Sequence, residues 1–126
     1  MTRFETDDIL FFYPVYEGFE FAIEFVHSVT QSPVREFFKI LEGEFYLTAI
    51  EFNDFGAGML TEFPPGAQIT HRADGGLFLS GFVKSMRNGL RYIVGRATCI
   101  VLYIGGERVP LADLAEPGTV IEFTSR

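Results

Sequence analysis

The sequence contains no tryptophan, one cysteine and two histidines among 126 residues, and these shortages exclude several kinds of protein. A single cysteine cannot form a disulfide within one chain, so we expect the protein in a reducing compartment. His27 and His71 lie 44 residues apart, which is not the spacing of a zinc or iron site. Cys99 lies in a hydrophobic run and is predicted to be buried and unreactive. We therefore expect no metal, no cofactor and no catalytic activity.

Basic residues are also scarce, because 10 lysines and arginines face 17 aspartates and glutamates and the formal net charge is −7. Nucleic acids and anionic membranes are both bound by basic surfaces. No basic segment is followed by the ~7–15 apolar residues of a signal peptide, and no window approaches the ~18 apolar residues of a membrane helix. The sequence predicts a soluble cytoplasmic chain with neither a nucleic-acid polymer nor a membrane as partner.

Hydrophobic residues, in contrast, make up 48% of the chain, and its length suits one domain of residues 1–126. Residues 1–63 hold 12 acidic and 3 basic side chains and 12 of the 15 phenylalanines, whereas residues 64–126 hold 5 acidic and 7 basic side chains. The favoured interpretation is two interleaved halves of one fold with solvated outer faces. The alternative is a charged, aromatic face for a partner.

In the first third of the chain, the sequence pattern predicts an arm or edge strands over residues 1–31 and a helix over residues 32–43. Residues 19–26 alternate between apolar and polar positions, as in a half-buried strand. Ser32 is a good helix N-cap, Pro33 suits the first turn, and Gly43 suits the helix end. The apolar residues between them follow helical spacing: Val34, Phe37, Phe38 and Leu41.

Over residues 44–126, the sequence pattern predicts short strands separated by turns. Glu44–Phe52 alternates in the period of a strand, and Asn88-Gly89 is a strong signal for a β-hairpin turn. Gly105-Gly106 and Pro117-Gly118 indicate two further turns. Six or more short strands without an alternating βα pattern predict a mainly β fold, a small antiparallel split β-barrel with one short N-terminal helix.

Basic side chains give the clearest candidate ligand site. Lys84, Arg87, Arg91 and Arg96 bracket the predicted Asn88-Gly89 hairpin and would suit an acidic partner or an anionic ligand. A binding site of this type would place Arg72, Arg91 and Arg96 around an apolar pocket. The loop from His71 to Asp74 is more simply explained as a solvated turn.

The order of strands and turns resembles the N-terminal, PilZN-like split barrel of the YcgR-type flagellar brake proteins. The segments that carry the resemblance are Glu44–Asp54, Met59–Glu62, Pro64–Gly66, Leu77–Val83 and Asn88–Val94. The resemblance implies a PilZ-like module in bacterial motility or cyclic di-GMP signalling.

Two linear motifs bear on a nucleotide ligand. In the PilZ family, Arg-x-x-x-Arg and Asp-x-Ser-x-x-Gly motifs together bind cyclic di-GMP. Here Arg35-x-x-x-Lys39 and Asn53 to Gly58 match them only in part, so we do not favour cyclic di-GMP binding. Two segments, Glu36 to Gly43 and Gly58 to Gly66, match parts of the two cupin motifs, but Thr30 and Ser32 stand where the paired metal-binding histidines would be.

The function favoured by the sequence is a non-catalytic adaptor that acts by protein contact. Its interface would use the aromatic side chains near the start of the chain, and a homodimer results if the partner is a second copy. These interface residues are Phe11, Phe12, Tyr13 and Tyr16. The alternatives are a small-molecule or nucleotide-binding barrel and a structural subunit of a secretion or phage assembly.

Overall fold

A computed structural model describes residues 1–3, 8–26, 32–52, 66–71, 73, 76–87, 89–95 and 99–125, and everything below concerns these residues. They form a mainly β fold with antiparallel pairing throughout. The strands are β1 Thr2–Arg3, β2 Glu20–Val26, β3 Pro33–Leu41, β4 Glu44–Phe52, β5 Gln68–His71, β6 Leu77–Ser80, β7 Lys84–Ser85, β8 Leu90–Ile93, β9 Val101–Ile104, β10 Glu107–Pro110 and β11 Val120–Phe123. One 3₁₀ turn, Leu111–Asp113, follows β10.

The strands divide between two sheets. The large sheet has the order β10-β9-β2-β3-β4-β6-β5, with β7 also paired to β4, and the small sheet has the order β1-β11-β8. The mainly β, antiparallel prediction is confirmed. In the described part of the chain, the large sheet does not close into a barrel, because its path ends at β10 on one side and at β5 on the other. All four residues of β5 are exposed, as suits an edge strand.

The predicted helix over residues 32–43 is wrong, because Pro33–Leu41 is β3, the central strand between β2 and β4. Pairing on both edges satisfies its backbone groups, which outweighs the helical spacing of its apolar residues. Glu42 and Gly43 both have positive φ, 52° and 77°, and turn β3 into β4. Gly43 therefore completes a two-residue hairpin turn of the type that requires φ above zero.

The predicted hairpin at Asn88-Gly89 is also wrong. The strand before it, β7, pairs with β4, whereas the strand after it, β8, pairs with β11. This segment therefore carries the chain from the large sheet to the small one. In contrast, Gly105-Gly106 joins the paired strands β9 and β10, as the sequence predicts, with φ of 57° and 84°.

Phenylalanine rings fill the space between the two sheets. Phe21 of β2 stacks on Phe38 of β3 at a centroid distance of 5.4 Å and on Phe123 of β11 at 6.3 Å. Phe45 of β4 meets the same ring edge-on at 5.6 Å. Phe21 therefore joins the large sheet to the small one, and many phenylalanines of the first half belong to the core.

Candidate functional site

Residues 8–19 form an extended segment, here called the strap, that crosses from the small sheet to the large one. Near its start, the Leu10 amide donates to the Met1 carbonyl at 3.0 Å, next to β1. Near its end, the Gly18 amide donates to the carbonyl of Ile40 in β3 at 2.7 Å. Because hydrogen bonds hold both ends, the strap has a defined path over the sheets.

The side chains of the strap alternate between inward and outward positions. Phe11 and Tyr13 are half-buried against the core, whereas Phe12 and Tyr16 are 78% and 71% exposed. This alternation is the pattern of extended chain on an apolar surface. Of the four residues predicted to form an interface, the structure therefore packs two against its own core and leaves the other two largely exposed.

Tyr13 fixes the strap to the turn between β9 and β10. Its ring lies 5.9 Å from that of Phe19 and 6.5 Å from that of Phe11. Its phenol packs against Gly105 so closely that a Cβ atom added at that glycine would overlap the Tyr13 Oη. Glycine is therefore required at this position both for the positive φ and for the approach of the strap.

A cavity of about 390 Å³ lies beneath the strap. It is lined by Met1, Thr2, Ile9, Phe11, Phe12, Tyr13, Pro14, Val15, Phe21, Ile40, Phe45, Leu102, Ile104, Phe123, Thr124 and Ser125. None of these lining residues, all within the described ranges, has a charged side chain, and the polar ones carry hydroxyl groups. The volume falls in the ~300–1,000 Å³ range of small-molecule sites. We call this space the strap cavity.

A carboxyl group lies on the inner face of the large sheet, away from the strap. Glu36 of β3 stands in register between Ile23 of β2 and Ile50 of β4. The Tyr92 hydroxyl donates to Glu36 Oε1 at 3.2 Å. Burial raises the pKa of Glu36, while the Tyr92 hydrogen bond and the positive charge of Lys84 act in the opposite direction.

Glu36 and Tyr92 belong to a second depression, here called the acid pocket, with a volume of about 270 Å³. Among the described residues, the others that line it are Phe25, Val26 and Ile100. Burial also raises the pKa of Tyr92, with a further contribution from the charge of Glu36. The sequence analysis missed this pair, because the helical interpretation of residues 32–43 left Glu36 on a polar face.

Arg35, a predicted ligand residue, lies on the outer face of the large sheet and is already engaged. It donates to Glu24 Oε2 from Nε at 3.2 Å and from Nη2 at 2.8 Å. Its guanidinium also lies 4.4 Å above the centre of the Tyr103 ring. Neighbouring strands thus bring the three residues together as a cross-strand cluster.

The other predicted ligand residues do not converge on Arg35. Lys39 stands opposite Glu20 in the large sheet, whereas Arg91 forms a 2.8 Å ion pair with Glu122 in the small sheet. Arg91 neighbours the inward-facing Tyr92 and so points away from the large sheet. The predicted ligand residues Asn53, Gly58, Arg72 and Arg96 lie outside the described residues.

Cys99 is exposed, so its predicted burial is wrong. Cys99 lies two residues before β9 rather than within a strand. Within the described ranges, no group of three or more His, Cys, Asp or Glu residues could hold a metal ion. None of the helical structure described there is long and apolar enough to cross a membrane.

Comparison with known families corrects the resemblance drawn from the strand pattern. The family model that matches, over residues 21–111, is described as Domain of unknown function (DUF1850). No curated protein and no solved structure matches the chain. The resemblance to YcgR-type, PilZN-like domains is therefore wrong, and the expectations of motility and cyclic di-GMP signalling lose their support. The matched residues run from β2 to the 3₁₀ turn and include the whole acid pocket, and the chain belongs to the DUF1850 family.

Proposed function

We propose that this chain is a non-catalytic binding module that holds a small apolar molecule in the strap cavity. The observation that carries the proposal is the cavity of about 390 Å³ between the strap and the inner faces of both sheets. Apolar walls favour an apolar ligand, because binding removes its surface from water.

The lining residues also define the chemistry of the ligand. Hydroxyl groups of Thr2, Tyr13, Thr124 and Ser125 are the polar side-chain groups of the lining. They suit a neutral ligand with one or two hydrogen-bonding atoms. The described lining residues carry no carboxyl, imidazole or thiol side chain, which favours binding over a proton-transfer or nucleophilic reaction. An exposed, free Cys99 suits the cytoplasmic location that we infer.

A neutral fluorescent probe tests this function. N-phenyl-1-naphthylamine should bind saturably with increased fluorescence, and an uncharged long-chain alcohol should displace it. Val15→Phe adds atoms inside the strap cavity and should weaken probe binding at least tenfold. Val83→Phe is the matched control, because Val83 is 65% exposed and lies outside the cavity. Equal affinity of both variants for the probe would rule out the strap cavity as its site.

Protein contact is a second candidate, favoured by the outer side of the strap. Tyr16 is 71% exposed there, and Phe12 and Ile9, which also border the strap cavity, are 78% and 66% exposed. Aromatic side chains of this type are frequent anchors of protein interfaces. The partner that we propose is a second copy of the chain.

Light scattering after size-exclusion chromatography tests self-association. The wild type should elute as a dimer at micromolar concentration, and Phe12→Ser with Tyr16→Ser should convert it to a monomer. Ile93→Ser is the control, because Ile93 is 61% exposed on the small sheet and away from the strap. A wild type that stays monomeric at all concentrations would contradict the proposal.

A further inference from the structure

The acid pocket has an unused hydrogen-bond acceptor at its base. Tyr92 donates to Glu36 Oε1, and Glu36 Oε2 receives no hydrogen bond from the described residues. No buried side-chain oxygen or nitrogen among those residues lacks a partner, so Oε2 is partly accessible, and Glu36 is a lining residue of the pocket. A carboxylate has about four acceptor sites on its two oxygens, and one is used here.

The surroundings of this carboxyl are apolar and aromatic. Phe25, Val26 and Ile100 form the walls, and the Tyr92 ring adjoins the carboxyl. The two strands beside β3 present Ile23 and Ile50 at this level, and neither can compensate a charge. A carboxylate in such surroundings attracts a cation more strongly than one in water, and aromatic rings add to that attraction.

One cation of the protein already acts on this group. The charge of Lys84, in β7, lowers the pKa of Glu36. Lys84 is exposed, however, and within the described residues it forms no ion pair with Glu36. The direct ion-pairing position beside Glu36 is therefore not taken by a described side chain.

From this geometry, we propose that the acid pocket binds a small organic amine, whose ammonium group pairs with Glu36 Oε2 and whose apolar body rests on Phe25, Val26 and Ile100. The volume of about 270 Å³ suits a small molecule of this kind. Ammonium N–H groups are donors only, which matches a site whose free polar atom is an acceptor. This inference does not rest on the strap cavity, which lies at the other end of β2.

Protonation of Glu36 gives the binding a defined pH dependence. Burial favours the neutral carboxyl in the empty pocket, and a bound ammonium favours the carboxylate. Amine binding should therefore release a proton when Glu36 is protonated and should strengthen as pH rises through the pKa of Glu36. The groups that act on this carboxyl are Tyr92 from β8 and Lys84 from β7.

Calorimetric titration with three probes of similar size tests the proposal on the wild-type chain. We expect 2-phenylethylamine to bind at least tenfold more tightly than 2-phenylethanol at pH 7, and 3-phenylpropionate to bind more weakly than either. Equal affinity for amine and alcohol, or no heat with the amine at millimolar concentration, would overturn the proposal. These comparisons need no variant.

Variants then locate the site. Glu36→Gln keeps the size of the side chain and an acceptor for Tyr92, and it should weaken amine binding at least tenfold without changing alcohol binding. Glu20→Gln is the matched control, because Glu20 is exposed in β2 and its removal changes the net charge equally. Lys84→Met should strengthen amine binding by removing a competing cation. Unchanged amine affinity in Glu36→Gln, or weaker affinity in Lys84→Met, would contradict the assignment.

Discussion

Replacement of Gly105 by alanine tests whether the strap packs as the structure shows. Gly105 has φ of 57°, and an added Cβ would overlap the phenol of Tyr13. The neighbouring Gly106 has φ of 84°, and a Cβ there would meet nothing within 4 Å. The two alanine variants therefore share the cost of a left-handed backbone, but only Gly105→Ala also displaces the strap.

The expected magnitudes follow from this difference. A residue with a Cβ in the left-handed region costs about 1–2 kcal/mol, which is the whole expectation for Gly106→Ala. Displacement of Tyr13 also loses its ring contacts with Phe11 and Phe19, at ~0.5–1.5 kcal/mol for each pair. Gly105→Ala should therefore destabilise the fold by about 2–5 kcal/mol.

Urea unfolding of these variants gives the free energies, provided that the slope with denaturant stays constant. Combining Gly105→Ala with Tyr13→Ala should cost less than the sum of the single changes, because Tyr13→Ala already removes the overlapping ring. Equal destabilisation by Gly105→Ala and Gly106→Ala, together with additivity in the double variant, would refute the packing of the strap on this turn.

Three further predictions concern the sheets. Phe21→Ala should lower the unfolding free energy in urea by about 3–5 kcal/mol, because this ring joins the two sheets. Arg35→Met should cost ~1–2 kcal/mol in the same assay, since its ion pair with Glu24 is partly exposed and its contact with Tyr103 adds a modest amount. For Glu36, the raised pKa means that the folded chain binds more protons than the unfolded chain above the ordinary value of 4.5. The free energy of unfolding of the wild type should therefore fall, relative to that of Glu36→Gln, as pH rises from 4.5 through the raised pKa. Urea unfolding midpoints of both proteins, measured from pH 4 to 8, test this. Midpoints that change with pH in the same way in both proteins would contradict it.

The sequence was sufficient for the fold class but not for the central strand. Residues 33–41 satisfy two periods at once, since Val34, Phe38 and Ile40 face inward in the strand while Val34, Phe37, Phe38 and Leu41 also follow helical spacing. Gly43 suits both a helix end and a hairpin turn. Long-range pairing with β2 and β4 decides between them, and a local pattern does not contain that information.

The candidate sites were harder to predict for the same reason. In a strand, the inner row reads Val34, Glu36, Phe38 and Ile40, and the single glutamate in an apolar row is the signal that would have identified the acid pocket. The aromatic start of the chain was predicted to form an interface, whereas Phe11 and Tyr13 pack against the chain's own core. Which of its rings turn inward depends on the path of the strap, which hydrogen bonds to Met1 and Ile40 determine.

The pairing of β1 with β11 has a consequence for how a newly made chain reaches its native state. Thr2 lies opposite Glu122, so β1 finds its partner only after the residues between them have been synthesised. Contacts of such long sequence separation form slowly. Until β11 is available, the inner rings of β2, β3 and β4 lack the small sheet that covers them, and exposed apolar surface of this kind makes a folding intermediate prone to aggregate.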